Sequence, residues 1–184
     1  MKVLGIVGSA RKGGNTEILI KEALAAAQEA GAETEIVLVN GKNIAPCDGC
    51  SSCFKTGVCR IQDDMQEIYG QMEKADAILF GSPVYFGSVS AQLKAIMDRT
   101  FMYLPAHRLE GKVAAPILAV RRVGAGGTRN LLLGYFMTHK MMPVRGSIGY
   151  GRQRGEVMEG PGGDINSTSN YWTSIFHSLY YTFP

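Results

Sequence analysis

Four cysteines stand at Cys47, Cys50, Cys53 and Cys59, and the rest of the chain has none. A secreted disulfide framework would spread its cysteines to staple distant loops, so this clustering points to a metal or cluster site in a reducing compartment. Thiolates three residues apart let one chain bend around a four-iron cubane and present successive sulfurs to different irons. Gly49 and Gly57 ease the bends, Ser51 and Ser52 add polar groups, and Lys42, Lys55 and Arg60 offset negative charge. Structural zinc is a rival reading, although it usually takes two C-x2–4-C pairs across a longer spacer. Free or redox-active thiols are a third.

A second chemistry belongs to Gly8-Ser9-Ala10-Arg11-Lys12-Gly13-Gly14-Asn15-Thr16. It joins an apolar strand to a helical pattern, and a helix start offers unpaired N–H groups and partial positive charge. Ser9, Asn15 and Thr16 add short polar side chains and Arg11 a cation, which suits a terminal phosphate. The GxxxxGK[ST] order is absent, so this is no P-loop. A capped helix with a polar surface loop is the plainer reading. Gly81-Ser82-Pro83-Val84-Tyr85-Phe86-Gly87 follows a later strand. Tyr85 and Phe86 can pack against a flat ring, and Gly87 lets backbone approach it. An aromatic-capped turn is the alternative. Arg121 to Thr128, with Gly124 and Gly126, makes a third loop that reads as a flexible wall. Its order fails the dinucleotide fingerprint, because Arg129 stands where the last glycine belongs.

These loops need elements to hold them. Strands are expected at Lys2–Val7, Glu33–Val39, Ala75–Gly81, Lys112–Val120 and Pro143–Tyr150. Helices are expected at Thr16–Ala30, from Asp63 or Asp64 to about Lys74, at Val89–Met102, and from the third loop to about Met141. Residues 40–60 form a long loop around the cysteines. The alternation argues for an α/β fold with a parallel sheet and right-handed crossovers. Such sheets bind ligands at the carboxyl edge, where strand order reverses. Residues 151–170 read as irregular, and 171–183 as an aromatic-rich segment of poor period.

The motifs GSARKGGNT and GSPVYFGSVSAQLKAIMDR, then a glycine-rich loop, resemble the NAD(P)H-dependent FMN reductase group of flavodoxin-like proteins over about residues 1–150. With the cysteines, the pattern resembles the iron–sulfur flavoproteins of anaerobes and archaea. The resemblance implies a three-layer flavodoxin-like sandwich with a five-stranded parallel sheet, order 2-1-3-4-5. It implies FMN phosphate at Ser9, Arg11, Asn15 and Thr16, and isoalloxazine at the loop that opens with Ser82 and runs from Pro83 through Val84, Tyr85 and Phe86 to Gly87. A further wall is implied near Arg121, Gly124 and Gly126. A [4Fe–4S] cluster on the four cysteines and a homodimer or homotetramer are implied too. The expected activity is an FMN-dependent oxidoreductase or electron-transfer flavoprotein. NAD(P)H or a ferredoxin-type donor supplies the electrons, and a small molecule or protein accepts them. A cluster-free FMN or quinone reductase and a non-enzymatic flavodoxin-like carrier are the alternatives.

Other classes find little support. The chain has 184 residues, 46% hydrophobic and 19% charged, an ordinary balance for one globular domain. Its net charge of +3 is scattered without a basic block, against nucleic-acid binding. No apolar run spans a bilayer, and the first apolar stretch is too short for a signal peptide, so a cytoplasmic protein is expected with no membrane partner. No catalytic side chain is assigned. His107, His139 and His177 read as surface or capping residues, the methionines as core, and Asp98 and Arg99 as an ion pair or packing.

Overall fold

Each apolar run becomes a strand backed by the helix that follows it. In this computed structural model, which describes residues 1–158, β1 (Lys2–Val7) leads to α1 (Asn15–Glu29) and β2 (Glu33–Leu38). A single helical turn, α2 (Cys53–Thr56), interrupts the long loop that the sequence suggested. Then come α3 (Met65–Lys74), β3 (Ala77–Pro83) and α4 (Ala91–Arg99), which continues as a 3-10 turn over Thr100–Tyr103. The chain goes on to β4 (Val113–Val120), α5 (Ala125–Thr138), β5 (Met142–Pro143) and β6 (Ser147–Tyr150). Among the described residues no helix is long and apolar enough to cross a membrane.

The strands pair in parallel in the order β2-β1-β3-β4-β5, as expected. Alternate residues feed two cores. Val3, Val7, Leu79 and Ile117 pack with α1, while Leu4, Ile6, Phe80 and Leu118 pack with residues of α3, α4 and α5. Burial on both faces explains why β3 and β4 read as nearly unbroken apolar runs.

The fifth strand departs from expectation, because it is broken into β5 and β6. Both pair with β4. Between the pairs Ala114–Pro143 and Ile117–Ser147 the edge chain uses one residue more than β4, which is a bulge. Its cause lies in β4. Met142 N–H donates to Lys112 O (2.8 Å) and Val144 N–H to Ala114 O (2.9 Å), so alternate residues of β4 face this edge. The next is Pro116, which has no N–H to offer. Gly146 takes φ +70° and passes so near Pro116 that a Cβ would lie 2.1 Å from its carbonyl oxygen. The edge chain steps over the missing donor at the residue that tolerates the step.

Beyond β6, residues 151–157 fold back over the start of α1, and Val157 is buried against it. The rest of the segment read as irregular, the aromatic-rich 171–183 and His177 lie outside the described residues.

Candidate functional site

β1 and β3 are neighbours in register, with Val7 beside Gly81, so the loops that leave them emerge at one edge. The two loops are also bonded to each other. Gly8 N–H donates to Gly81 O (2.8 Å), and the Ser90 hydroxyl donates to Gly8 O. Ser90 caps α4 by accepting from Leu93 N–H (3.1 Å). There is no room at Gly8 for a side chain: a Cβ would sit 2.5 Å from Leu93 Cβ and 2.9 Å from Gly81 O. The third loop joins them. A Cβ on Gly124 would lie 2.9 Å from Gly87 Cα and 3.1 Å from a Val84 methyl. Three loops far apart in sequence therefore meet at one rim.

In the first loop, Ser9 and Thr16 are buried and Arg11 is exposed. Ser9 Oγ accepts from Arg11 N–H (3.1 Å). Among the described residues the N–H groups of Asn15, Thr16 and Glu17 find no acceptor, which is the donor set that an anion at a helix start uses. Asn15 stands at the helix start, and its side chain bonds to the last described loop. Its amide donates to Gln153 O (2.8 Å) and accepts from Gly155 N–H (2.8 Å), strapping the last described loop across the helix start. This strap brings Arg154 over Gly13, where a Cβ would meet Nη2 at 2.4 Å. Glu17 is buried beside them and takes the Gly13 N–H (2.5 Å). Its pairing with Lys21 (2.7 Å), helped by the Gly13 N–H, holds its carboxyl below the usual range against the opposing effect of burial. Sequence reasoning missed Glu17, Arg154 and Asn40, whose amide donates to Ala10 O (2.6 Å).

The second loop is a tight hairpin. Tyr85 and Ser88 exchange two backbone bonds of 3.0 Å around Phe86 (φ +50°) and Gly87 (φ +72°), the signature of a type I′ turn. A bulky residue in the left-handed region is strained, and Phe86 stands fully exposed at the tip. Tyr85 is half exposed beside it. The N–H groups of Phe86 and Gly87 have no acceptor among the described residues, whereas that of Tyr85 is spent inside the turn. Ser82 is buried, its hydroxyl donating to Pro83 O (2.8 Å) and accepting from Ser90 N–H (2.9 Å), so it shapes the loop from beneath. Pro83 and Val84 are partly buried. In the third loop Arg121 is exposed, and α5 starts at Ala125, which places Gly126 in its first turn.

The cysteine loop lies apart from the rim. Cys47 and Cys50 are exposed, while Cys53 and Cys59 pack partly against the core. The Ser52 hydroxyl, 3.3 Å from Cys50 Sγ, and the Ser52 N–H draw that thiol below its ordinary pKa. Burial pushes Cys53 up, and the nearby thiols of Cys59, Cys50 and Cys47 push the same way. Each of the other three thiols is thus within electrostatic reach of Cys53. Among the described residues, however, no three His, Cys, Asp or Glu side chains are gathered as a metal site. The fit to a thiolate-bound cluster is one of donor type, four free thiols on one short loop. Asp48 pairs with Arg60 across the loop. Phe54 packs against Phe101 with ring centroids 4.9 Å apart and planes tilted by 57°, and both residues are exposed.

Three residues set aside at the sequence level make structural contacts. Arg99 is buried against Asp63, whereas Asp98 pairs at the surface with Lys94 (2.6 Å). His139 ends α5 and is buried, with Nε2 3.0 Å from Thr100 Oγ1. Burial lowers its pKa to about 4. The Thr100 hydroxyl also meets Met97 O (2.6 Å) and the Tyr135 hydroxyl (2.9 Å), which joins the ends of α4 and α5 in one buried polar cluster.

Comparison with known proteins gives one consistent answer. Residues 1–153 match the sequence model of the NADPH-dependent FMN reductases. An iron–sulfur flavoprotein of Methanocaldococcus jannaschii is 45% identical over 146 residues, 78% of this chain and 76% of that one. An iron–sulfur flavoprotein of Methanosarcina thermophila is 43% identical over 131 residues, 71% of this chain and 65% of that one. Among solved structures, RosB with a bound formylriboflavin phosphate intermediate superposes with a TM-score of 0.75 at 18% identity, over 100% of this chain and 81% of that one. A flavodoxin from the domain Archaea gives 0.64 at 12% identity, over 98% and 99%. These two likenesses show the flavodoxin-like fold.

Proposed function

Since the chain belongs to the NADPH-dependent FMN reductase family, and within it to the iron–sulfur flavoproteins, we propose that it passes electrons between FMN and a [4Fe–4S] cluster. They go on from there to a redox partner or small oxidant. That it is an FMN-binding flavoprotein oxidoreductase follows from the family. The cluster, its ligands Cys47, Cys50, Cys53 and Cys59, and the direction of electron flow are this reading's own. The observation that carries it is the joining of three loops at the carboxyl edge of β1, β3 and β4, with unspent N–H donors on two of them.

When bound, the flavin supplies two-electron hydride chemistry and the cluster single-electron transfer. The chain contributes position and charge. The unspent N–H groups at the start of α1, the Ser9 and Thr16 hydroxyls and the Arg11 cation hold the phosphate. Asn15 acts through the strap that brings up Arg154. Pro83, Val84, Tyr85, Phe86 and Gly87 seat the ring, and the Phe86 and Gly87 N–H groups stabilise negative charge on its reduced form. Ser82 keeps that loop in shape. Arg121, Gly124 and Gly126 wall the third side. No side chain serves as an essential proton acid or base. The donor is NAD(P)H or a ferredoxin-type protein, the acceptor a small molecule or a protein, the assembly a homodimer or homotetramer, and the compartment the cytoplasm.

A visible spectrum of anaerobically purified protein, with iron and acid-labile sulfide analysis, tests this reading. Flavin bands with about four of each element per chain are expected. Replacing Cys50 by Ala removes the cluster absorbance and leaves FMN bound, and loss of both overturns the separation of the two sites. The ungathered thiols favour a second reading, a cluster-free NAD(P)H-dependent FMN or quinone reductase. Flavin without iron and sulfide would establish that one. Rapid flavin bleaching on mixing with NADH or NADPH separates a reductase from a plain carrier.

A further inference from the structure

The cysteine loop is exposed along most of its length, yet its two ends meet a fully buried cation. Arg99 donates from Nη1 to Ala45 O (2.9 Å) and Asp63 Oδ2 (2.7 Å), and from Nη2 to Ile61 O (3.1 Å) and Asp63 Oδ1 (3.1 Å). Ala45 lies two residues before Cys47, and Ile61 two residues after Cys59. Asp63 closes the ring by accepting from Ala45 N–H (2.9 Å). The Arg99 and Asp63 side chains are 0% and 3% exposed. Tyr69 covers the guanidinium with its ring at 6.0 Å. The guanidinium is within electrostatic reach of Cys59, and its Nε–H is buried without an acceptor.

A buried ion pair is a poor device for stability alone, because desolvation consumes most of its attraction. A planar fork that bonds two carbonyls and a carboxylate at once does something that apolar packing cannot, which is to fix the separation of the atoms it holds. Arg99 also ends α4, the helix whose other end is capped by Ser90 against the rim loop. One rigid helix therefore carries a contact to each site.

We propose that Arg99, paired with Asp63, is the positioning residue of the cysteine loop, pinning both ends of the segment that carries the four thiols. This rests on the reading that those cysteines hold a cluster, but one of its tests does not.

The first test needs no metal. In metal-free protein with FMN bound, Arg99→Lys keeps the charge and loses the fork. Amides of residues 47–60 should exchange about tenfold faster, while those of β1 and β3 stay as in wild type. Equal exchange across the loop overturns the proposal. Since Arg99→Lys can fail to fold, the double variant Asp63→Leu/Arg99→Met, which removes both charges together, serves as the second. After anaerobic reconstitution with ferrous iron and sulfide, the variants should take up less than half the iron of wild type. Their reduced protein should show broadened paramagnetic resonance lines, with FMN affinity unchanged. Wild-type iron uptake and line shape in a folded variant would overturn it, since a role in global stability alone moves neither. If wild type itself takes up no iron, the cluster reading fails, and the exchange experiment still decides the clamp.

Discussion

The rim and the cysteine loop solve one problem, the placing of several groups within a few ångströms, by different means. At the rim the sheet does the placing. β1, β3 and β4 run parallel at fixed spacing, so loops leaving their ends are neighbours before any side chain acts. Backbone bonds and absent side chains then draw them together, as at Gly8 and Gly81. The cysteine loop follows β2 at the sheet edge and has no strand beside it to lean on. Its two ends are joined at a buried ion pair, and the turn between them is held by surface contacts such as Asp48 with Arg60 and Arg108 with Gly57 O. A site on adjacent strand ends inherits its geometry, whereas a site on an edge loop needs a dedicated clamp.

The largest expected effect tests that clamp. Asp63→Ala strands the Arg99 charge in the interior and frees Ala45 N–H, and should cost about 3–5 kcal/mol in urea unfolding. A loss below about 1 kcal/mol would show that the loop does not depend on this pair.

Acid should separate two buried groups at the far end of α4. His139, whose ring bonds Thr100 next to Arg99, has a folded pKa of about 4 against an ordinary 6.5. The unfolded chain binds the extra proton first, so stability is full above pH 6.5 and falls as pH drops toward 4, by about 3 kcal/mol in all. Asp63 loses its contribution in the same direction but at lower pH. Burial would raise its carboxyl, but Arg99 and the N–H groups of Ala45 and Met65 outweigh it and hold it below 3.8. Its contribution persists until pH falls below that value. Thermal melts between pH 7 and 4 should therefore lose stability in wild type but much less in His139→Gln. A variant as acid-sensitive as wild type would remove His139 from the account.

The smallest effect is at the rim. Gly8→Ala forces a methyl against Leu93 and Gly81 and should cost about 2 kcal/mol. FMN titration should show weakened binding with the cysteine loop undisturbed. Unchanged FMN affinity would mean that the two loops can part without harm.

Much of the rim was legible because its signals are local. A glycine-bearing turn after an apolar strand, or a Ser-Pro-x-Tyr loop after another, announces itself by composition. The side-chain bonding of Asn15 was not legible, for the opposite reason. Its partners, Gln153 and Gly155, lie about 140 residues away, and nothing near Asn15 distinguishes a phosphate ligand from a strap. Arg99 was read as a packing or ion-pair residue, but its Asp63 partner and the loop ends it holds were not legible. Asp63 was read only as a candidate helix cap. It does accept from Met65 N–H (3.1 Å), yet most of its bonding goes elsewhere. Pro116 did carry a signal, since a proline inside a central strand must interrupt one edge.

Residue order alone settled the chemistry on offer: four thiols on one short segment, a polar glycine turn before a helix, and strands alternating with helices. Those are matters of type and period, and both are written along the chain. The folded molecule decided which donors stay free, which carboxylate is buried beside which cation, and where the last strand breaks. A hydrogen-bonding group is committed or available according to what stands within about 3 Å of it, and those neighbours come from anywhere in the sequence.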